Sequence, residues 1–585
     1  MVVTVRQITI IAASFAALSL AYACSSNSTG PGDGSGTPDL VFDPVSLDLG
    51  EDRESSITLE NRGDGAAGPI QLLPGPVTRD GSSVAGAQLQ VVPGEIATLN
   101  PGSSRTVTLS LVLSGTPAPG AYQCSLEARV QGKTLGAMNV SFAVAAPPPA
   151  GTGHTVTITA GPTDPRQGDV VTYMAETRDS TGALVNDVSL FWSVTPGSAG
   201  LTTGDGRFVG YTPGAARVVA SIGVDSDTLD IDVAARGLSG SFSVAGTGPV
   251  TSRFTSDVWV HGDYAYTGTW SCRNNACGDR MHAWNVSVPE SPVLTDAVVV
   301  NARVVNDVKV RADGTLAVIT HEIANDGLNG VTLLSLSDPA RLSVITRFTS
   351  GLESGVHNVW VEGDYVYVVV DGVGNGMRVL DISNPTSPSV VASFYAGTSF
   401  LHDVYVRNGL AFLSHWDAGL IIVDVGNGIA GGSPSNPVEV SRIQTTGGQT
   451  HNAWYWPATG YVFVGEEDFD TPGIMHVVDA SDLSDPKEVA TFRVPGATPH
   501  NFWLDETRGV LYAAWYENGL QAIDVSGVLL GDLHQQGREI ASSTYGAGSG
   551  CFGGSETCTW APQLHNGLIY VSDLNSGLWV LQPGF

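Results

Sequence analysis

The sequence predicts an all-β protein in which residues 237–585 form an array of seven similar units. With 71 Gly and 32 Pro among 585 residues and only 14% charged residues, the composition is typical of a turn-rich β chain. Amphipathic helical periodicity is almost absent beyond the N-terminus. A five-residue motif, usually polar at its first position and Asp or Asn at its second, recurs every 45–60 residues from Ser256 onward, and its seventh copy, at Trp560, is degenerate. A period near 50 with strand-like patterning indicates a radial or solenoidal β array.

The first 23 residues have the pattern of an export signal. A basic residue precedes an apolar run at residues 8–20, which is too short to span a membrane comfortably. The run ends in Leu-Ala-Tyr-Ala-Cys24, which resembles a bacterial lipobox and implies that Cys24 is acylated. Plain cleavage after Ala23 is the alternative. Residues 24–38 are rich in Ser and Gly and predict a flexible tether.

Two segments between the tether and the repeats have the pattern of β-sandwiches, with short alternating strands broken by Gly, Pro and Asn. Residues 39–146, with Leu59-Glu-Asn-Arg-Gly63, resemble bacterial immunoglobulin-like envelope modules. Residues 152–234, with Phe191-Trp-Ser-Val, resemble the bacterial immunoglobulin-like group 2 domain, which implies that Trp192 is its core tryptophan. Neither segment contains a catalytic constellation, so we expect both to be spacers or an adhesive stalk.

The third repeat shows the predicted unit most clearly, with strands at residues 357–361, 365–370, 377–382 and 389–394. Strands this apolar need cover on both faces, which the neighbouring blades of a β-propeller provide. The Val-Leu-Asp-Ile segment ending at Ile382 recurs in later repeats and resembles the LVIVD repeat family of bacterial surface propellers. This resemblance implies an exported seven-bladed propeller and no particular reaction.

The seventh repeat has only three predicted strands. A strand-like run, residues 240–244, precedes the first repeat. We expect this run to supply the missing fourth strand and to close the ring, because closure leaves no long exposed sheet edge.

Four consecutive repeats open with a histidine. In a four-stranded blade, the start of the first strand and the end of the second lie on the same face, so residues at these positions are expected around one arc of the channel mouth. Imidazole and carboxylate groups there are the ligand set of Cu, Zn or Fe. The candidates are His357, His402, His451, His500, His321 and His415 as metal ligands, Glu466 or Glu467 as a catalytic base, and Trp416, Asp417, Trp515, Tyr516 and Asp573 as a ligand-binding rim.

A structural role explains the same histidines, and the two explanations stay open. Other repeats place Ser256, Asn306 and Trp560 in this position, and a mostly polar position suits a repeated hydrogen bond to a neighbouring turn. The following residue is Asp or Asn in six repeats, which is typical of a turn-forming residue. The aromatic residue at the fourth position predicts packing between neighbouring sheets.

The cysteines and the net charge restrict the compartment and the partners. The pairs Cys272 with Cys277 and Cys551 with Cys558 each flank a short loop, and in an exported chain they predict disulfides more readily than a metal site. Cross-pairing between the two loops stays open. Cys124 lies in an apolar strand and predicts a buried thiol. A net charge of −30 argues against nucleic acid and anionic membrane surfaces as partners.

These patterns favour a lipid-anchored bacterial cell-envelope protein whose propeller binds an extracellular protein or glycan through its histidine-lined face. One alternative is a metal-dependent oxidase or hydrolase that uses Cu, Zn or Fe. Another is a purely structural surface protein. The sequence contains no Gly-x-Ser-x-Gly elbow, phosphate loop or His-Glu-x-x-His motif, which makes an enzyme the less favoured class.

Overall fold

The computed structural model describes the chain from residue 37 to residue 585 with short gaps. The predicted signal, Cys24 and almost all of the tether lie outside the described residues. The gaps are 45, 50–53, 80–81, 85–86, 114–119, 131, 145–153, 187, 398–399, 446, 470–472, 547, 549 and 553–555.

Strands and turns make up nearly all of the described chain, which confirms the all-β prediction. The helical element in this part of the chain is a single 3-10 turn, Gly197–Ala199. Among the residues with described positions, no helix has the length and hydropathy of a membrane span. The chain divides into two compact units, which are described separately. The first unit comprises Val244–Val440 and Tyr545–Gln582, and the second comprises Gly36–Ser243, Ser441–Thr544 and Pro583–Phe585.

In the second unit, the N-terminal module consists of two sheets that enclose one hydrophobic core. Alternate residues of each strand point inward, so Leu59 of one sheet and Leu126 of the other belong to the same buried cluster. The strands, in spatial order, are Leu40–Asp43, Glu54–Asn61, Ser104–Leu113 and Ala87–Val92 in one sheet, and Ser46–Asp48, Lys133–Val144, Gly120–Val130, Ile70–Pro74 and Glu95–Ile96 in the other, with Thr78–Arg79 and Ser82–Ser83 paired beside it.

The next module of the second unit is built from three small sheets around Trp192. The predicted core position of this tryptophan is confirmed, because its ring is buried and lies 6.4 Å from the ring of Tyr173. The strands are Thr155–Ala160 with Met174–Arg178; Val170–Thr172, Arg207–Gly210 and Gly200–Thr202; and Phe191–Thr195, Gly214–Ile222 and Asp225–Val233.

The remaining chain forms, among the described residues, seven mainly antiparallel sheets of four or five strands, numbered here in chain order, and one two-stranded sheet, Cys272–Arg273 with Ala276–Cys277. In sheets 1 to 6 the first four strands pair in chain order, and sheet 5 adds a short parallel strand. The strands are Phe254–His261, Tyr264–Trp270, Arg280–Asn285 and Val293–Val299 (sheet 1); Val308–Val310, Leu316–His321, Gly330–Ser335 and Ser343–Phe348 (sheet 2); Val356–Glu362, Tyr365–Val370, Met377–Asp381 and Ser389–Phe394 (sheet 3); Asp403–Arg407, Leu410–His415, Gly419–Asp424 and Val438–Ile443 (sheet 4); Thr450–Trp456, Tyr461–Glu466, Met475–Asp479, Lys487–Phe492 and Gly531–Asp532 (sheet 5); Phe502–Asp505, Val510–Ala514, Leu520–Asp524 and Glu539–Ser543 (sheet 6); and Thr559–His565, Leu568–Asp573, Gly577–Pro583 and Phe242–Pro249 (sheet 7).

Sheet 7 takes one strand from ahead of the first repeat, as the sequence predicts. This strand, Phe242–Pro249, pairs with Gly577–Pro583 at the edge of the sheet. It begins two residues after the start of the predicted run and continues five residues beyond its end. A hydrogen bond of 2.9 Å from the N–H of Val250 to the carbonyl of Ser576 continues the pairing.

Aromatic side chains pack between neighbouring sheets, which confirms the role predicted for the fourth motif position. In the first unit, the Trp360 ring lies 5.8 Å from Trp259 of sheet 1 and 4.6 Å from Tyr405 of sheet 4. In the second unit, the rings of Trp454 and Trp503 are 5.0 Å apart. The Trp360–Tyr405 and Trp454–Trp503 contacts join neighbouring sheets, and the Trp259–Trp360 contact joins sheets 1 and 3.

The prediction that the second motif residue forms a turn is wrong. The side chain of Asn358 in sheet 3 instead accepts a hydrogen bond of 3.3 Å from the backbone N–H of Val404 in sheet 4. The Asp257 carboxylate of sheet 1 likewise accepts a hydrogen bond of 3.4 Å from the backbone N–H of Val308 in sheet 2. Short carboxylate and amide side chains are therefore used to tie one sheet to the next.

In the second unit, the module around Trp192 is bonded to sheet 6 and is not an independent spacer. The buried guanidinium of Arg236 pairs with Asp169 of that module at 2.9 Å and with Asp524 of sheet 6 at 3.0 Å. Arg538, which is also buried, donates to the carbonyls of Asp524 and Gly168. Two arginines therefore fix this module against the sheet.

Both predicted disulfides are present, Cys272–Cys277 and Cys551–Cys558, so cross-pairing between the loops does not occur. Cys124 is a buried free thiol, as predicted, and burial raises its pKa to about 11. A thiol with so high a pKa is almost entirely protonated at neutral pH and is a poor nucleophile.

Candidate functional site

In the first unit, two of the opening histidines lie side by side. His357 is the second residue of the first strand of sheet 3, at a β-bulge between Val356 and Val359, and His402 directly precedes the first strand of sheet 4. A bulge turns side chains away from the regular ladder. The two imidazole rings are 4.4 Å apart, and both residues are buried.

Two carboxylates approach His357 from the ends of second strands. Glu322 follows the second strand of sheet 2 and Asp371 follows that of sheet 3. The Nδ1 atom of His357 lies 3.1 Å from Glu322 Oε1 and 3.9 Å from Asp371 Oδ1, and the three atoms are all within 4.8 Å of one another. Burial and the Glu322 carboxylate raise the pKa of Asp371, while His357 opposes them. This arrangement is a potential ligand set for a metal ion.

Sequence reasoning missed Glu322 and Asp371 by one position. The prediction from sequence considered the last residues of the second strands, such as His321 and Val370. Because successive residues of a strand face opposite sides, the residues that face the site are the ones directly after them. Reading the position after each strand end would have found Glu322 and Asp371, in the way that it found Glu467. The carboxylates recur at this position, and that recurrence was visible in the sequence.

Trp416 lies against His402 in an unusual backbone conformation. Its φ angle is 27°, a left-handed value that is rare for a bulky residue. The half-buried Trp416 ring is 5.2 Å from the ring of His402 and 6.2 Å from that of Phe400. Asp417 follows directly and is also half-buried. A partly accessible tryptophan ring therefore lies beside the His402 imidazole.

The second unit contains a related cluster at the equivalent positions. The rings of His451 and His500 are 4.3 Å apart, and Tyr516, with a φ of 38°, packs 4.9 Å from His500. The Tyr516 hydroxyl donates a hydrogen bond to Glu467, whose other oxygen lies 3.8 Å from His451 Nε2. All four side chains are buried, so Glu467, a predicted base, is engaged within the protein.

Glu466, the other predicted base, belongs to a buried ion group in sheet 5. His476 Nε2 lies 3.0 Å from Glu466, and His476 Nδ1 lies 3.2 Å from Glu488. Burial by itself lowers the pKa of His476, but the Glu488 and Glu466 carboxylates more than offset this and raise it to about 10. The imidazolium holds the second, third and fourth strands together, which is a structural role.

The other predicted site residues are mostly buried. His321 Nε2 is 2.9 Å from the Thr332 hydroxyl, and burial lowers its pKa to about 3. His415 is buried at the end of its strand. Trp515 is fully buried, and its indole N–H donates to the carbonyl of Ala497 at 3.1 Å.

Three of the five predicted rim residues do not form an accessible rim. Trp515, Tyr516 and Asp573 are buried, so their side chains present almost no surface to a ligand in this conformation. The Asp573 carboxylate instead accepts backbone hydrogen bonds, including one of 2.7 Å from Cys558. Trp416 and Asp417 keep an accessible position.

Comparison with known families finds LVIVD repeats in the chain. The LVIVD repeat model matches residues 252–271, 355–395 and 401–445. These segments lie in sheets 1, 3 and 4 and the connections after them, so the repeat region has a propeller-like all-β fold.

Comparison with curated proteins finds no match. Among solved structures, the β-propeller domain of Cps50 (Swd1) from Myceliophteria thermophila is similar with a TM-score of 0.41 and 11% sequence identity. The match covers 58% of this chain and 99% of that domain.

Proposed function

We propose that the chain is an exported, lipid-anchored binding protein of the bacterial cell envelope. Its export signal and acylated Cys24 would hold it at the membrane, where two immunoglobulin-like modules precede a seven-bladed LVIVD-type propeller. The signal-like pattern of residues 1–23, the LVIVD matches and the seven sheets of the described chain support this organisation. Cys272–Cys277 and Cys551–Cys558 suit an oxidising compartment.

The observation that carries the binding function is the conformation of Trp416. A bulky residue at a φ of 27° costs on the order of 1–3 kcal/mol, and such strain is concentrated at functional sites. The strain places the indole ring against His402, where it keeps part of its surface accessible. The strain belongs to the backbone of this turn, since Tyr516 has a similar φ of 38°, and at Trp416 the turn presents an indole ring that keeps accessible surface.

The ligand that this face fits best is a glycan. An indole face stacks on the apolar side of a sugar ring, and a neighbouring carboxylate such as Asp417 accepts hydrogen bonds from sugar hydroxyls. The net charge of −30 also favours a neutral ligand over an anionic one. A peptide ligand would use the same aromatic face, and the experiment below separates the two.

The test is to apply the full chain to a glycan array and a peptide array, with Trp416→Ala as the site variant. We expect the wild type to bind a subset of glycans and the variant to lose at least about fivefold in affinity, because one stacked ring contributes about 1–3 kcal/mol. The matched control is Tyr395→Ala, which removes an aromatic ring that is 59% exposed directly after the outer strand of sheet 3.

Two outcomes would count against this proposal. Binding to peptides alone would replace the glycan by a protein ligand at the same face. Equal binding by the wild type and Trp416→Ala, with a normal melting temperature, would show that Trp416 is not part of a binding site.

A further inference from the structure

We infer that Glu322, His357 and Asp371 form a binding site for one divalent transition-metal ion. The inference goes beyond the proposed glycan-binding face and does not depend on it, because it rests on three ligand atoms and not on Trp416. The site offers one imidazole nitrogen and two carboxylate oxygens, all from the first unit.

The spacing of the three ligand atoms suits a metal ion. His357 Nδ1 lies 3.1 Å from Glu322 Oε1 and 3.9 Å from Asp371 Oδ1. Ligand atoms that surround a tetrahedral ion at 2.0–2.2 Å are about 3.4 Å apart, so shifts of less than about 1 Å would complete the coordination.

The charges also indicate a cation. If His357 had only a structural role, one carboxylate would be enough as its hydrogen-bond partner, and Glu322 already provides that carboxylate. Asp371 brings a second negative charge to the same nitrogen, in a site where the side chains of His357, Glu322 and Asp371 are only 6%, 11% and 22% exposed. Two carboxylates held together with little solvent repel each other, and a divalent ion between them removes the repulsion.

The backbone holds Asp371 towards the site. The Asp371 N–H donates to the carbonyl of Gly355 at 3.0 Å. A Cβ atom on Gly355 would lie 2.1 Å from Asp371 Oδ2, so only glycine leaves room for the carboxylate there. Gly355 also has a φ of 122°, which side-chain-bearing residues rarely adopt. The glycine therefore positions the carboxylate beside His357.

The donor set defines the class of ion. One imidazole with two carboxylates suits Zn²⁺, Fe²⁺ or Mn²⁺, whereas a site for Cu⁺ would offer sulfur ligands. Three protein ligands leave a coordination position open, and Asp371, the most exposed of the three, marks the accessible side. Zn²⁺ and Mn²⁺ are suitable probes because both are redox-stable in air.

The experiment uses the full chain, purified without a histidine tag, treated with chelator and titrated with Zn²⁺ or Mn²⁺ by calorimetry. Metal content is then measured after gel filtration. We expect two variants to bind one equivalent of metal less than the wild type: His357→Ala, and the double variant Glu322→Gln with Asp371→Asn. Loss of an outer-shell partner already costs about 10–100-fold in affinity, so loss of a ligand should cost at least as much.

Three comparisons make the result decisive. Glu353→Gln removes an exposed carboxylate of the same unit and should bind like the wild type. Trp416→Ala should leave metal binding unchanged, which separates this site from the glycan-binding face. If His357→Ala fails to fold, Asp371→Asn alone decides, because it changes one atom. Wild-type stoichiometry and affinity in the ligand variants, or no uptake by the wild type, would overturn the inference.

Discussion

The carboxylate of Asp307, just ahead of the first strand of sheet 2, accepts a hydrogen bond of 2.9 Å from the backbone N–H of Val359 in sheet 3. The same relationship joins sheets 1 and 2 and sheets 3 and 4. A buried N–H that lacks an acceptor is destabilising, so the acceptor at this position stabilises these three pairs of neighbouring sheets. The recurrence of Asp or Asn as the second motif residue follows from this geometry.

Asn358→Ala should destabilise the protein, because it removes the acceptor for the N–H of Val404. Asn358 is a better position to test than Asp307. Asp307 also pairs with Lys309, so its substitution would break a buried ion pair as well as the hydrogen bond. We expect a decrease of about 1–3 kcal/mol in the free energy of unfolding, the cost of an unsatisfied buried donor. Urea denaturation of the full chain measures it.

Two controls accompany the Asn358 experiment. Asn358→Asp keeps an acceptor oxygen and should recover most of the stability. Ser393→Ala, on the exposed side of the outer strand of sheet 3, should change the free energy by no more than about 0.5 kcal/mol. A decrease in Asn358→Ala no larger than in Ser393→Ala would contradict the role of this side chain in joining the sheets.

Arg236→Ala should be strongly destabilising, because it leaves the largely buried Asp524 without its cation and separates the Trp192 module from sheet 6. Breaking a buried pair in this way costs about 3–5 kcal/mol. Arg217→Ala is the matched control, since Arg217 pairs with Asp230 at 2.7 Å but the two side chains are 55% and 78% exposed. The exposed pair should contribute no more than about 1 kcal/mol.

Chemical denaturation of the two arginine variants, with hydrogen exchange at residues 167–169, tests this coupling. In Arg236→Ala the exchange of these amides should accelerate, because they lie at the surface that Arg236 and Arg538 hold against sheet 6. Similar losses of stability in the two variants, with unchanged exchange, would show that the module and the sheet are not coupled through Arg236.

The strands were predictable from sequence because their signal is local. The four strands of sheet 3 begin and end within one residue of their predicted positions, since apolar runs and Gly or Asn turns define them. The disulfides were predictable for the same reason, because each closes a short loop.

The contacts that assemble the candidate site were not predictable in this way. Glu322 and His357 belong to different sheets, and which carboxylate meets which histidine depends on how the sheets are registered. Arg236 and Asp524 are 288 residues apart, and no local pattern links them. Trp416 and Trp515 both lie at the ends of second strands, yet only Trp416 stays accessible, because the packing around each end differs.

His282 should make the protein sensitive to mild acid. Burial, with Arg280 and Arg253, lowers its pKa to about 4, and within the described structure its Nδ1 atom has no hydrogen-bond partner. Below pH 6.5 the unfolded chain therefore binds a proton that the folded chain does not, so stability falls between about pH 6.5 and pH 4 and this loss levels off below pH 4. The slope from this one group is at most about 1.4 kcal/mol per pH unit.

Urea denaturation at pH 7, 5.5 and 4.5 tests this prediction. In His282→Gln, whose side chain cannot titrate, the free energy of unfolding should fall less steeply with decreasing pH than in the wild type, whatever the absolute stability of the variant. His534→Gln, a change at an exposed histidine, is the control and should keep the wild-type slope. Equal slopes in the wild type and His282→Gln would rule out His282 as the source of the acid sensitivity.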